Sequence, residues 1–183
     1  MKRLRGVEFP SYFNMPYSYG YFKLEVEYHI MRNIPRDAKI IDVGAGSGTY
    51  GLMLKPHFYH LDALEIFDNY IEEFKLRDIY KNVFSGDVLD FRFKGYDYAI
   101  LGDIIEHLSV EDADSLLTML LHRNIKCLVA VPYMMKQGEV NGNIYEEHKQ
   151  DDLTHDLFIK RYPYMGVLYR NSEYGYYINY DCV

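Results

Sequence analysis

The sequence predicts an α/β domain with a mostly parallel sheet, helices on both faces and an antiparallel hairpin at its C-terminal end. Three observations predict it. From residue 40 onward short apolar runs alternate with amphipathic stretches, the pattern of successive βαβ units. The first of these runs passes directly into a cluster of glycines, and the stretch 164–183 reads as two Tyr-rich strands flanking Asn171-Ser-Glu. At 183 residues the chain has material for one full core and little for a second, so a single domain is expected. It divides into an arm and helix (1–37), a core (38–132), a loop and helix (133–163) and the hairpin (164–183).

Residues 1–20, with Pro10, Pro16 and many aromatics, read as an irregular arm leading into a helix through about Arg32. Lys39 to Val43 is the first strand. Thr49 to Leu54 is a helix ended by Pro56, and Leu61 to Glu65 is the second strand. Asn69 to Leu76 carries Ile71, Phe74 and Lys75 at helical spacing. Asn82 to Ser85 is a short third strand. Tyr96 to Leu101 and Ile125 to Val131 are apolar enough to be buried on both faces. Between them Ser109-Val-Glu-Asp resembles a capping box, and Ala113, Leu116, Leu117 and Leu120 supply one apolar stripe. The polar stretch from Pro132 to about Asp151 lacks periodicity and reads as a lid or binding loop. Leu153 to Tyr162 is a further helix, and Gly166 to Arg170 with Tyr174 to Tyr180 forms the hairpin.

Composition narrows the function. A net charge of −7 argues against an extended nucleic-acid surface, because that affinity comes from Lys and Arg neutralising phosphates. The one basic run, Lys2, Arg3 and Arg5, fits a solvated tail. No apolar run is long enough to span a bilayer, and the first residues lack the apolar segment of a signal peptide. Two cysteines, Cys127 and Cys182, fit a reducing compartment, so a cytoplasmic location is expected. The 20 Tyr and 10 Phe fit strands and half-buried surfaces, and some could line a pocket for a cation or a planar substrate.

The chemistry concentrates in Ile40-Ile41-Asp42-Val43-Gly44-Ala45-Gly46-Ser47-Gly48-Thr49. Glycines at a strand-to-helix turn permit positive φ and let a ligand approach the backbone. The following helix points free amide donors at it. The third glycine falls at Gly48, where a dinucleotide fingerprint would place it at 49, and Asp42 precedes the loop. An acidic approach suits a ligand carrying ammonium and sulfonium groups better than one led by a pyrophosphate. Further on, Glu65 closes the second strand, near the spacing at which a carboxylate accepts from ribose hydroxyls. Ser85-Gly86-Asp87-Val88 follows the third strand, and Gly102-Asp103-Ile104-Ile105-Glu106-His107 follows the fourth.

These ordered motifs resemble the class I S-adenosylmethionine-dependent methyltransferases over roughly residues 38–132. The resemblance implies a Rossmann-like three-layer α/β/α sandwich whose seven-stranded sheet has a reversed last strand, with S-adenosylmethionine as cofactor. It implies a cofactor site of Asp42, Gly44, Ala45, Gly46, Gly48, Glu65, Ile66, Asp87, Val88 and Gly102. Ile66 would pack on the adenine face, Asp87 would accept from the adenine amine, and the Val88 amide would meet a ring nitrogen. Gly102 and Asp103 would lie beside the methionine portion and the methyl group. Candidate bases are Asp103, His107 and His148. His107 is expected to open a helix, where packing and catalysis both fit; His148 would act if its loop folds over the cleft.

The acceptor is expected to be a small molecule or another exposed oxygen or nitrogen nucleophile. A non-catalytic cofactor-binding module and a dehydrogenase are the alternatives, the latter disfavoured by the third glycine falling at 48 rather than 49. Val131-Pro132-Tyr133 follows the fifth strand rather than the fourth, so it does not support amino-methylation of DNA bases. His57 and His60 lie three apart without a Cys pair or a His-Glu-x-x-His array, so no metal is expected.

Overall fold

The computed structural model describes residues 18–140 and 142–180. The basic run at residues 2–5, most of the aromatic arm and Cys182 lie outside them. Helix α1 spans Lys23–Asn33 and strand β1 Lys39–Val43; they are followed by α2 (Thr49–Leu54), β2 (His60–Glu65), α3 (Asp68–Glu73), α4 (Leu76–Ile79) and β3 (Val83–Ser85). Strand β4 (Tyr98–Gly102), α5 (Val110–His122), β5 (Lys126–Pro132), α6 (His155–Arg161), β6 (Gly166–Arg170) and β7 (Tyr174–Ile178) complete the order. The strands form one seven-stranded sheet, β3-β2-β1-β4-β5-β7-β6. The pairs β3–β2, β2–β1, β1–β4 and β4–β5 are parallel, and β7 runs antiparallel to both β5 and β6.

Period-two alternation along the central strands builds two cores, one on each face of the sheet. Ile40, Tyr98, Ile100, Leu128 and Ala130 point to the face covered by Val26 and Ile30 of α1 and Leu54 of α2. Ile41, Val43, Ala99, Leu101, Val129 and Val131 point to the other, covered by the α5 stripe and Phe158 of α6. The expected three layers follow from this division.

Three expected elements differ in detail. The helix expected over 69–76 breaks after Glu73, because Lys75 takes a left-handed conformation (φ 51°) that ends one helix and starts the next. Glu106 and His107 do not open a helix. Ile105–His107 form a single 3₁₀ turn, and α5 starts afresh after extended Leu108, capped by the Ser109 hydroxyl, which accepts from the Asp112 N–H. Asp112 returns its carboxylate to that hydroxyl at 2.7 Å, in place of the reach a longer Glu makes to the cap backbone.

Asp42 is buried within the sheet. The Tyr80 hydroxyl donates to its carboxylate and accepts from the Gly51 N–H at 3.0 Å, so the acid ties α4 to the first turn of α2. Burial pushes the Asp42 carboxyl up to about 7, against the lowering pull of Tyr80 and of the Lys23 charge. The folded state therefore keeps a proton that the unfolded chain releases near pH 4. Its contribution to stability is present at low pH and disappears as pH rises to about 7. Between pH 5 and pH 7 that is about 2 kcal/mol, or about 4–8 °C in Tm for a chain of this size. Buried histidines pull the other way, so the observable is a difference. The Tm of wild type minus that of Asp42→Asn should shrink by about this amount between pH 5 and pH 7; a pH-independent difference would show that Asp42 titrates normally.

Candidate functional site

The site lies at the C-terminal ends of β1, β2, β3 and β4, where an open parallel sheet leaves a crevice. Gly44, Gly46 and Gly48 hold φ values of 63°, 50° and 77°, so the chain turns left-handed three times between β1 and α2. A β-carbon on Gly44 would collide with the side chain of Ile104, and glycine alone permits this close approach. The Gly44 N–H donates to the Leu64 carbonyl at 2.7 Å, which fastens the turn to the end of β2.

Glu65 is buried beside the turn. One of its oxygens accepts from the Gly46 N–H and the other from the Phe67 N–H, each at 2.9 Å. Burial raises its pKa, and those backbone donors work against the rise. A carboxylate offers about four acceptor positions, so roughly two remain for a ligand.

Asp103 follows β4 in a left-handed conformation (φ 57°). The Tyr174 hydroxyl donates to one of its oxygens at 2.6 Å and the Ser18 hydroxyl to the other at 2.5 Å. Burial raises the Asp103 pKa, while the Lys23 charge, Ser18 and Tyr174 oppose the rise. Lys23 donates to Ser18 at 2.7 Å and stands 3.8 Å from the centre of the Tyr50 ring. Loss of hydration lowers its pKa to about 8. A β-carbon on Gly102 would strike the same Tyr50 ring, which accounts for glycine at the end of β4.

The segment expected to be a lid folds over this cleft. Asn143, Tyr145 and Glu146 line it together with Gly44, Ala45, Gly46, Glu65, Ile66, Gly102, Asp103 and His107. Glu146 accepts from the Tyr70 hydroxyl at 3.1 Å and from the Gln137 amide at 3.2 Å, and burial pushes its carboxyl up to about 7. The cleft continues past Ile66, Ile104 and His107 to Asp87, Val88 and Leu89. Asp87 accepts from the Leu89 N–H at 2.9 Å, which shapes the turn after β3.

Most of the expected residues converge, with three exceptions. Asp42 and Gly48 do not line the cleft: Asp42 holds Tyr80 against the first turn of α2, and Gly48 closes the glycine turn with its N–H, which donates to the Ala45 carbonyl at 2.7 Å. His148 is buried behind His107, with ring centres 4.7 Å apart, and does not reach the cleft wall. Burial and the neighbouring His148 lower the His107 pKa to about 4, so its ring is neutral at pH 7. His155 stacks on Tyr177 and hydrogen-bonds its hydroxyl at 3.0 Å, on the face packed by α6. Lys23, Tyr70, Glu146 and Tyr174 were not foreseen. Among them only Glu146 carried a local signal, since it belongs to the acidic segment around His148.

No protein-family model matches the sequence, and no curated protein matches it. Solved structures do match it. An S-adenosylmethionine-dependent methyltransferase from Clostridium acetobutylicum superposes with a TM-score of 0.61 at 11% identity, over 84% of this chain and 87% of that one. CalS10, an amino pentose methyltransferase from Micromonospora echinaspora in calicheamicin biosynthesis, gives 0.59 at 14% identity over 86% and 89%. The mitomycin 7-O-methyltransferase MmcR gives 0.56 at 12% identity; the match covers 85% of this chain but 53% of that longer one. With its reversed seventh strand inserted between β5 and β6, the chain has the Rossmann-like fold of the class I S-adenosylmethionine-dependent methyltransferases.

Proposed function

We propose that the chain binds S-adenosylmethionine across the ends of β1 to β4 and methylates an oxygen or nitrogen of a small-molecule acceptor. The observation that carries this reading is the left-handed glycine turn meeting buried Glu65 and Asp103 in one cleft. The residues fit the cofactor. Three carboxyl groups, Glu65, Asp103 and Glu146, line the cleft, an environment that favours a ligand carrying positive charge.

The Gly44 to Gly46 backbone would pass against the nucleoside, and Glu65 would accept from the ribose hydroxyls through its remaining lone pairs. Ile66 and Val88 would flank the adenine, with Asp87 accepting from its amine. Gly102 and Asp103 would border the methionine portion. When bound, the cofactor would supply a methyl group on a sulfonium; the methyl carbon bonds to the incoming oxygen or nitrogen as the C–S bond breaks and the sulfur leaves as a neutral thioether. Positioning and exclusion of water supply much of the acceleration in such a displacement, and the 143–146 segment closes the cleft from above. Of the three expected bases, Asp103 and His107 border the cleft, and Asp103 is the one placed to receive a proton.

Calorimetry with S-adenosylmethionine tests the reading directly. Wild type should bind, and Glu65→Ala should bind at least about tenfold more weakly, since it loses charge-assisted hydrogen bonds and frees the Gly46 N–H. Absence of binding by wild type would sink the cofactor; equal binding by both would sink the ribose assignment. Binding with no methyl transfer to any acceptor would favour the non-catalytic module.

Asp87→Ala is the gentler probe, because Asp87 is half-exposed on a turn. It should weaken S-adenosylmethionine about fivefold while leaving Tm close to wild type. Unchanged affinity would remove Asp87 from the adenine end.

A further inference from the structure

Glu106 is buried without a solution to its burial. It is 1% exposed, and neither carboxylate oxygen has a hydrogen-bond partner among the described residues. A carboxyl group taken from water with nothing in return is costly, and native proteins rarely keep one idle. The Nε2 atom of His148 is equally buried and equally unpartnered.

The two nearby histidines are each fixed in one tautomer. The Nδ1 atom of His148 lies 2.8 Å from the Met135 carbonyl, and that of His107 lies 3.2 Å from the Glu147 carbonyl. A carbonyl only accepts, so each Nδ1 carries the proton and each Nε2 keeps its lone pair. One ligand atom from each of Glu106, His107 and His148 lies within 4.8 Å of the others. The backbone clamps the parts together. The Lys149 and Gln150 N–H groups both donate to the Glu106 carbonyl, at 2.8 and 3.0 Å. The Gln150 side chain donates to the Ile105 and Leu108 carbonyls at 2.9 and 3.1 Å.

We propose that Glu106, His107 and His148 bind a divalent cation of the borderline class, typified by Zn²⁺, in the wall of the cleft. Two imidazoles and one carboxylate select such ions over Mg²⁺ and Ca²⁺, which favour all-oxygen shells. The carbonyls of Met135 and Glu147 supply the outer hydrogen bonds that orient ligating imidazoles. Bonds of about 2 Å would draw the three groups closer than they stand. Three protein ligands also leave a coordination position open, as in catalytic rather than structural zinc sites. Because His107 borders the cleft, that position is offered to an oxygen or nitrogen of the methyl acceptor; this last step rests on the proposed methyl transfer, whereas ion binding does not.

Calorimetric titration of chelator-treated protein with Zn²⁺, without S-adenosylmethionine, reads the site on its own. Wild type should take up one ion per chain with Kd at or below about 1 μM. The near-isosteric Glu106→Gln and the truncating His148→Ala should each weaken uptake at least tenfold. Co²⁺ as a second probe should give wild type the visible absorption of a low-coordinate nitrogen and oxygen site, and both variants should lose it. Circular dichroism establishes that each variant is folded, and His107→Gln replaces any that is not. No uptake by wild type, or uptake unaltered in the folded variants, overturns the site. Uptake by a protein that fails to bind S-adenosylmethionine would keep the ion and remove only the cofactor reading.

Discussion

The structure depends on burying five carboxyl groups, Asp42, Glu65, Asp103, Glu106 and Glu146, near one end of the sheet. No ion pair between described residues reaches any of them; the pairs present join His57 to Glu27, Arg77 to Glu72 and Arg161 to Asp152. The Lys23 charge acts on both Asp42 and Asp103, but its ammonium is itself held below its ordinary pKa by burial. Electrostatic relief therefore has to come from neutral donors and from whatever the cleft binds.

The tyrosines meet much of that need. Tyr80 donates to Asp42, Tyr174 to Asp103 and Tyr70 to Glu146, and the same pairing recurs away from the cleft in Tyr96 with Asp62 and Tyr164 with Asp114. The chain carries 27 acidic and 20 basic side chains, and none of the ion pairs between described residues involves a buried acid. A phenol can serve one instead, because it brings a hydrogen-bond donor without a charge to desolvate and fills the core with its ring. The abundance of Tyr thus reflects more than strand filling. Another ring, Tyr50, lies against the Lys23 ammonium.

What the sequence made legible was local. The glycine turn, Glu65 one strand later, and the turns after β3 and β4 all sit at fixed offsets from strand ends, so the parallel sheet delivers them to one edge. What stayed hidden was long-range. Asp103 is held by Ser18 and Tyr174, which lie 85 and 71 positions away, and no periodicity links them. His148 was legible as a member of the lid, yet its placement behind His107 depends on hydrogen bonds from the lid backbone to Glu106. The cluster with Glu106 escaped for the same reason, since no short spacing joins Glu106 and His107 to His148, and only His57 and His60 were weighed as a ligand pair from the sequence. Those two are occupied elsewhere, His57 with Glu27 and His60 with Lys81.

The lid joins the cofactor cleft to the cluster around Glu106. Its Asn143 to Glu146 turn covers the cofactor end of the cleft, while Glu147 to Gln150 grips the 3₁₀ turn after β4 through the carbonyls of Ile105, Glu106 and Leu108. The segment cannot lift from the cleft by its tip alone without giving up the Tyr70 and Gln137 bonds to Glu146. It cannot lift as a whole without also withdrawing His148 from Glu106 and His107. Opening by the whole segment therefore exposes both the cofactor cleft and the Glu106 carboxylate to water, and closing buries both again. An ion bridging His148 to the 3₁₀ turn would hold the lid down from its far end. It would thereby favour the closed cleft by linkage, because it binds the closed arrangement and not the open one.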